Sequence, residues 1–208
     1  MHIVIKARPE KKELLSRLFA NSPATISWVS NGSGPPAADA YFDDSFEEDG
    51  FAFESVTEKP VMVNAVIEVA RSLPANCIRY NGWEGFLHQP VLEIAGANSE
   101  SLSKAHFILD ALQWTYIEAP DEPGMVSPRV VAMIINEAYY GYGESISSKK
   151  DIDIAMKLGT NYPCGPFEWS EMIGLHKIAA LLEKLAATSS RYCIAPALKA
   201  AFTNQKKA

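Results

Sequence analysis

The sequence predicts an α/β layer on a largely parallel sheet, followed by an all-helical C-terminal part. Two observations carry this. Up to residue 122, short β-branched runs alternate with stretches of helical periodicity, as in a sheet whose strands are joined by crossover helices. From residue 123 onward the strand signals stop, and four segments with helix-start and helix-stop chemistry follow one another. The expected domains are therefore 1–122 and 123–208.

In the first domain, HIVIKA (2–7) reads as a strand, and PEKKELLSRLFA places Leu14, Leu15, Leu18 and Phe19 on one helical face. ATISWVS (24–30) is strand-like, and NGSGPP (31–36) breaks the pattern. ADAYFDD, GFAFESV and KPVMVNAV are expected as strands, with VIEVARSLP a short helix after them. NCIRYNGW and QPVLEIAG are two further strands, SESLSKAHFILDALQW is a helix, and TYIEAP closes the domain as a strand.

In the second domain, SPRVVAMIINEAYYGYGE has Ser127 as N-cap and Pro128 at the first helical position. Its apolar stripe runs through Val130, Val131, Ile134, Ile135, Ala138 and Tyr142. SSKKDIDIAMKLG starts on Ser147 or Ser148 and is expected to end with Gly159 as the residue of positive φ beyond its C-terminus. Gly165-Pro166 and Pro196 open the next two helical stretches. The connection GTNYPCGPFEW (159–169) then reads as a stiff link holding two helices at a set angle.

Composition excludes several function classes. The formal charge is −6 with a pI near 5.3, and lysines cluster only in the closing NQKKA, which argues against a nucleic-acid surface. No apolar run reaches the length of a membrane span, and the first residues lack the pattern of a secretory signal. Cys77, Cys164 and Cys193 are odd in number and widely spaced, which favours reduced thiols and a cytoplasmic setting. His2, His88, His106 and His176 show no close pairing, so no metal site is expected. Trp83, Trp114 and Trp169 are expected in the core or at an interface, His106 in packing, and His176 on a helix surface.

From Pro123 to Leu185, the segments PGMVSPR, NEA, DIDIAMKLGTNYPCGPFEW and MIGLHKI occur in order. This stretch strongly resembles the C-terminal domain of the 3-hydroxyacyl-CoA dehydrogenase family, whose pattern reads P-G-F-x-x-N-R, N-E-A, D-I-D-x-A-M-x-x-G, P-x-G-P-F and I-G-L-D. Upstream, DEPG resembles the hinge, QPVLEIAG the strand with P-V-x-x-L-V-E, and KPVMVNAV the strand ending in S-N-T-S, with Asn64 in the place of its Asn. The resemblance implies a reduced Rossmann-like domain followed by an all-α dimerisation domain of the 3-hydroxyacyl-CoA dehydrogenase type. It further implies a homodimer formed through the helical domain, an acyl-CoA ligand, NAD as cofactor, and oxidoreduction of 3-hydroxyacyl thioesters or related hydroxy acids in fatty acid metabolism.

The sequence departs from this pattern where the chemistry would lie. The family's G-x-G-x-x-G lets a pyrophosphate approach bare backbone at a helix N-terminus, yet here HIVIKA leads into Arg8-Pro9-Glu10, and Glu10 would put a carboxylate in the phosphates' place. NGSGPP contains glycines but leads into a strand, so no cofactor-binding residue is assigned. Counting back from Pro90-Val91 puts the family's catalytic histidine at Glu84 and its orienting glutamate at Gly96, with His88 four residues beyond Glu84. Glu84 and His88 are the catalytic candidates; Asn64 and Arg129 are the substrate-binding candidates, Arg129 following Pro128 where the family has Asn. The alternative to turnover is a catalytically silent dimer that binds acyl-CoA or a nucleotide.

Overall fold

The computed structural model describes residues 1–29, 34–87 and 91–205. The chain divides into two compact units, Met1–Met125 and Val126–Ala208.

The first unit runs β1 (His2–Lys6), α1 (Pro9–Phe19), β2 (Thr25–Trp28), β3 (Ala40–Asp43), the single-turn α2 (Phe46–Asp49), β4 (Val61–Asn64), a 3₁₀ turn (Ala70–Ser72), β5 (Cys77–Tyr80), β6 (Leu92–Ala95), α3 (Ser99–Leu112) and β7 (Tyr116–Glu118). The strands form one sheet in the order β2-β1-β3-β4-β5-β6-β7. Every pair is parallel except β5–β6. A dinucleotide-binding sheet of order 3-2-1-4-5-6 has two strands beyond its first strand on one side; here β2 alone occupies that side, which is therefore one strand short, while five strands follow on the other.

The two faces of the sheet are covered differently. Ile3, Ile5, Phe42, Met62, Ile78, Tyr80 and Ile94 pack beneath α1 through Leu15 and Phe19 and beneath α3 through Ala105, Ile108, Leu109 and Leu112. The alternate residues Val4, Tyr41, Val61, Val63 and Cys77 pack against Phe53, with Phe46, Phe51 and Val56 around it. GFAFESV is thus not a strand: it turns at Gly50 (φ 81°) and serves as an irregular cover whose phenylalanines replace the helix that this face lacks. VIEVARSLP yields only the short 3₁₀ turn, because Asp121 takes the N–H groups of Ala70 and Arg71. The backbone after β4 and β7 is held by Arg79, which is fully buried in β5. It donates to the carbonyls of Ala65, Val66 and Glu122 and pairs with Asp121 at 2.7 Å.

The second unit consists of α4 (Ser127–Gly143), α5 (Lys149–Thr160), α6 (Pro166–Ile173), α7 (Leu175–Ala186), a 3₁₀ turn (Ser190–Tyr192) and α8 (Pro196–Gln205). Ser127 is the first helical residue of α4 rather than its cap, which is Val126, and Pro128 follows within the first turn. Val131, Ile135 and Ala138 are buried as expected, whereas Val130 and Tyr142 are exposed. Ser148 caps α5 by accepting from the Asp151 N–H. Asn136 is buried and binds the lead-in to α8 at both ends, donating to Cys193 O and accepting from the Ala195 N–H.

The connection 159–169 is stiff for a different reason from the one its glycines suggest. Gly159 lies inside α5 with open space around it, and the left-handed residue that ends the helix is Asn161 (φ 57°). The demanding glycine is Gly165, where a β-carbon would stand 2.3 Å from Asp153 Cγ. Asp153 comes this close because its Oδ1 accepts from the Phe167 N–H at 2.8 Å, so a carboxylate of α5 caps α6. Glu168 adds a second lock, accepting from the Gly165 N–H and pairing with Lys157.

Candidate functional site

In an open α/β sheet, ligands bind beyond the carboxyl ends of the strands, where the strand order reverses. Here that point lies between β1 and β3, since β2 is added on one side of β1 and β3 on the other. The β1 chain leaves through Ala7 and Arg8 into α1, and β3 leaves through Asp43, Asp44 and Ser45 into α2. The two ends are stitched by the Asp44 N–H donating to Lys6 O at 2.8 Å.

Side chains from four segments converge there. Lys11, in the first turn of α1, lies 3.1 Å from Asp44 Oδ2 and donates to Gly82 O at 2.9 Å. The Tyr80 hydroxyl donates to Asp44 Oδ1 at 2.9 Å. Asn64, closing β4, donates to Asp44 O and accepts from the Gly82 N–H at 3.0 Å. Gly82 is needed for this approach, because a β-carbon would stand 2.5 Å from Asn64 Cγ. Beside them Glu47 accepts from the Val66 and Ile67 N–H groups through Oε1 and from the Trp83 indole N–H through Oε2. Asp44, Asn64, Tyr80 and Trp83 are all buried.

Burial sets the protonation chemistry of this layer. It lifts Asp44 above the ordinary carboxylate range against the pull of Lys11 and the Tyr80 hydroxyl, and pushes the Tyr80 phenol well above its usual value. Asp43, on the opposite face, is pushed up to about 7 by burial, opposed by the hydrogen bond from the Ala52 N–H and reinforced by Asp44. The Cys77 thiol is raised to about 12 by burial and the nearby Asp43 charge, which removes it as a nucleophile at neutral pH. Lys11 and the groups around Asp44 thus hold strand ends together, and their donors and acceptors are spent on one another.

A dinucleotide pyrophosphate fits this donor set poorly. Pro9 removes one N–H from the first turn of α1, the approach lacks a glycine, and a phosphate would face Asp44, Glu47 and Glu48. Glu10, expected to be the obstructing carboxylate, is exposed, and the side chain turned inward is Lys11 one residue on.

Glu84 is exposed in the turn that follows Trp83. His88 lies outside the described residues, as do residues 31–33 of NGSGPP. Asn64 is brought to the crevice, but both ends of its amide are engaged by Asp44 and Gly82. Arg129 is half-buried in the first turn of α4, in the helical unit. The structure therefore brings Asn64 to within two residues of Glu84, through Gly82. Trp83 and Trp169 are core residues, Trp114 is packed against the core, and His106 stacks on Tyr116 with Nε2 2.9 Å from Glu118. Among the described residues no cluster of His, Cys, Asp or Glu could hold a metal ion, and no helix is long and apolar enough to cross a membrane. Sequence reading missed Lys11, Asp44, Glu47 and Tyr80; the visible signal was the paired Asp43-Asp44 ending an apolar strand run.

A parallel-dominated α/β sheet followed by an all-helical unit is also the fold of solved hydroxyacyl-CoA dehydrogenases. The family described as "3-hydroxyacyl-CoA dehydrogenase, C-terminal domain" matches residues 124–207, the helical part of this chain. It is similar to 3-hydroxyadipyl-CoA dehydrogenase of Escherichia coli (strain K12), with 44% identity over 92 residues that cover 44% of this chain and 19% of that protein. It is also similar to 3-hydroxybutyryl-CoA dehydrogenase of Clostridioides difficile, with 39% identity over 69 residues, covering 33% of this chain and 25% of that one. The matches thus span about a fifth to a quarter of these relatives. Among solved structures, (S)-3-hydroxybutyryl-CoA dehydrogenase from Ralstonia eutropha superposes with a TM-score of 0.71 over 95% of this chain and 92% of that one, at 17% identity, which speaks for the fold. A 3-hydroxybutyryl-CoA dehydrogenase from Escherichia coli K12 superposes with a TM-score of 0.60 and 32% identity, over 70% of this chain and 32% of that one.

Proposed function

We propose that this chain is an oxidoreductase of the 3-hydroxyacyl-CoA dehydrogenase type, engaging 3-hydroxyacyl thioesters or related hydroxy acids in fatty acid metabolism. The observation that carries the reading is the helical unit: residues 124–207 match the family's C-terminal domain, and relatives similar to this chain are named for 3-hydroxyadipyl- and 3-hydroxybutyryl-CoA. Arg129, in the first turn of that unit, is the substrate-binding candidate toward an anionic part of the ligand. In this reading the helical unit also pairs with a second copy of the chain, supported by apolar residues left on its surface: Ile146, Ile154, Leu158 and Met172. A cytoplasmic setting is supported by three cysteines that form no disulfide. NAD would supply the hydride acceptor in such an enzyme, and the donor set between β1 and β3 fits its pyrophosphate poorly. The test is consumption of NADH by the purified chain with acetoacetyl-CoA, with binding of acetoacetyl-CoA measured separately by calorimetry. Turnover above the thioester-free rate supports the enzyme, and neither turnover nor binding refutes it.

The Lys11–Asp44 pair favours a second reading, in which the chain is a dimeric acyl-CoA-binding member of the family without turnover. The same experiment separates the two. Binding without NADH consumption supports the second reading, and turnover removes it.

A further inference from the structure

A dinucleotide is held in this kind of sheet by its pyrophosphate resting on the N-terminus of the first helix, against backbone bare of side chains. In this chain that space is already filled by the protein. Lys11 reaches from α1 to Asp44 at 3.1 Å and to Gly82 O at 2.9 Å, Tyr80 donates to Asp44 from β5, and Asn64 ties Asp44 O to the Gly82 N–H. The Asp44 side chain is fully shielded and that of Lys11 is 12% exposed, so the pair is removed from water.

We propose that the crevice between β1 and β3 is sealed from within by Lys11 and Asp44, so that the α/β unit takes up no dinucleotide there and the pair instead clasps α1 to the ends of β3 and β5. Three physical points support this. Admitting a pyrophosphate requires Lys11 to leave, which strands Asp44 as a buried carboxyl with Tyr80 as its remaining partner, and a half-broken buried pair is far worse than an intact or a wholly absent one. The phosphates would then approach Asp44 and the acids of α2, Glu47, Glu48 and Asp49, against like charge. Arg8, which could have offset that charge at the mouth, is already engaged by Asp49 at 2.6 Å. The inference rests on the α/β unit alone: it stands whether or not the helical unit holds a thioester, agrees with the second reading above, and is overturned by NADH turnover.

The experiment has two arms, both on the full chain. In the first, NADH and NAD are titrated by calorimetry and by energy transfer from tryptophan to the nicotinamide. The expected result is no saturation up to about 1 mM, and saturable binding tighter than roughly 100 μM overturns the proposal. In the second, urea midpoints are compared for the wild type, Lys11→Met, Asp44→Asn and the double variant. A clasp makes Lys11→Met clearly less stable and the double variant more stable than the sum of the single losses forecasts. Strictly additive losses, or an unchanged midpoint for Lys11→Met, overturn the clasp even where NADH fails to bind. Should Lys11→Met not fold, the double variant decides: recovery of folding supports the pair, and failure to recover overturns it. The thioester titration is independent of both arms, so loss of that reading leaves this one standing.

Discussion

Asp43→Asn should remove a pH dependence that the fold builds into β3. The Asp43 side chain is fully buried on the face that carries Val4, Val63 and Cys77; Oδ2 accepts from the Ala52 N–H, and Oδ1 has no hydrogen-bond partner among the described residues. Burial raises its folded-state pKa from 3.8 to about 7. A carboxyl raised in this way keeps its proton in the folded chain over a range where the unfolded chain has released it. Its stabilising contribution is therefore complete below about pH 4 and is lost as pH rises through about 7. At ~1.4 kcal/mol per pH unit across that window, the loss is on the order of 4 kcal/mol at most, and about 2–4 kcal/mol once a compact denatured state is allowed for. Asparagine keeps an acceptor for Ala52 and carries no charge, so the variant should exceed the wild type at pH 8 by about that amount and match it only below about pH 4. Urea melts of both proteins across this range give the difference directly, and the common titration of the remaining acids cancels. Two curves that stay parallel would refute the reasoning.

Three further outcomes follow from packing. Gly165→Ala forces a β-carbon into Asp153 and breaks the cap on α6, at a cost of roughly 2–4 kcal/mol, whereas Gly159→Ala, inside α5 and in open space, should be neutral or stabilise by about 0.5–1 kcal/mol; calorimetric melting that ranks the two the other way would sink the assignment. Arg79→Met leaves the carbonyls of Ala65 and Val66 without their side-chain donor and Asp121 without its buried cation, and should destabilise the α/β unit by about 3–5 kcal/mol, so a loss below about 1 kcal/mol would contradict its role. Leu158 is 83% exposed on α5; Leu158→Glu should leave the melting temperature unchanged and convert the proposed dimer to monomer in light scattering, and a monomeric wild type would refute the pairing.

The helical unit was legible because its signals are local. A Pro in the first turn, a Ser cap and an apolar stripe each act within a turn or two, and α4, α5, α6 and α8 start close to where they place them; the stretch opened by Gly165-Pro166, expected as one helix, is split at Gly174 (φ 97°) into α6 and α7. The strands of the first unit were legible for the same reason, through their β-branched period. GFAFESV misled because alternating phenylalanines serve an irregular cover as well as a ladder: both need every second side chain inside. Gly159 misled because a helix accepts glycine at modest cost, so its presence near an end does not prove a positive φ.

The crevice was illegible because it is assembled from residues far apart in sequence, Lys11, Asp44, Asn64, Tyr80 and Gly82, none of which forms a motif with its neighbours. Motif counting from Pro90-Val91 assumes that the loop after β5 keeps its length, and the structure gives that loop its own logic: Gly82 must approach Asn64, and Trp83 must reach Glu47. The family model accordingly matches residues 124–207. A bundle whose connectors depend on a carboxylate within contact of a glycine, as Asp153 and Gly165 are, tolerates few exchanges at either position. A sheet end closed by its own ion pair is constrained differently, since charge balance and burial can be met by many side-chain sets that leave no room for a phosphate. The fold can therefore persist over both units while the chemistry at the strand ends changes.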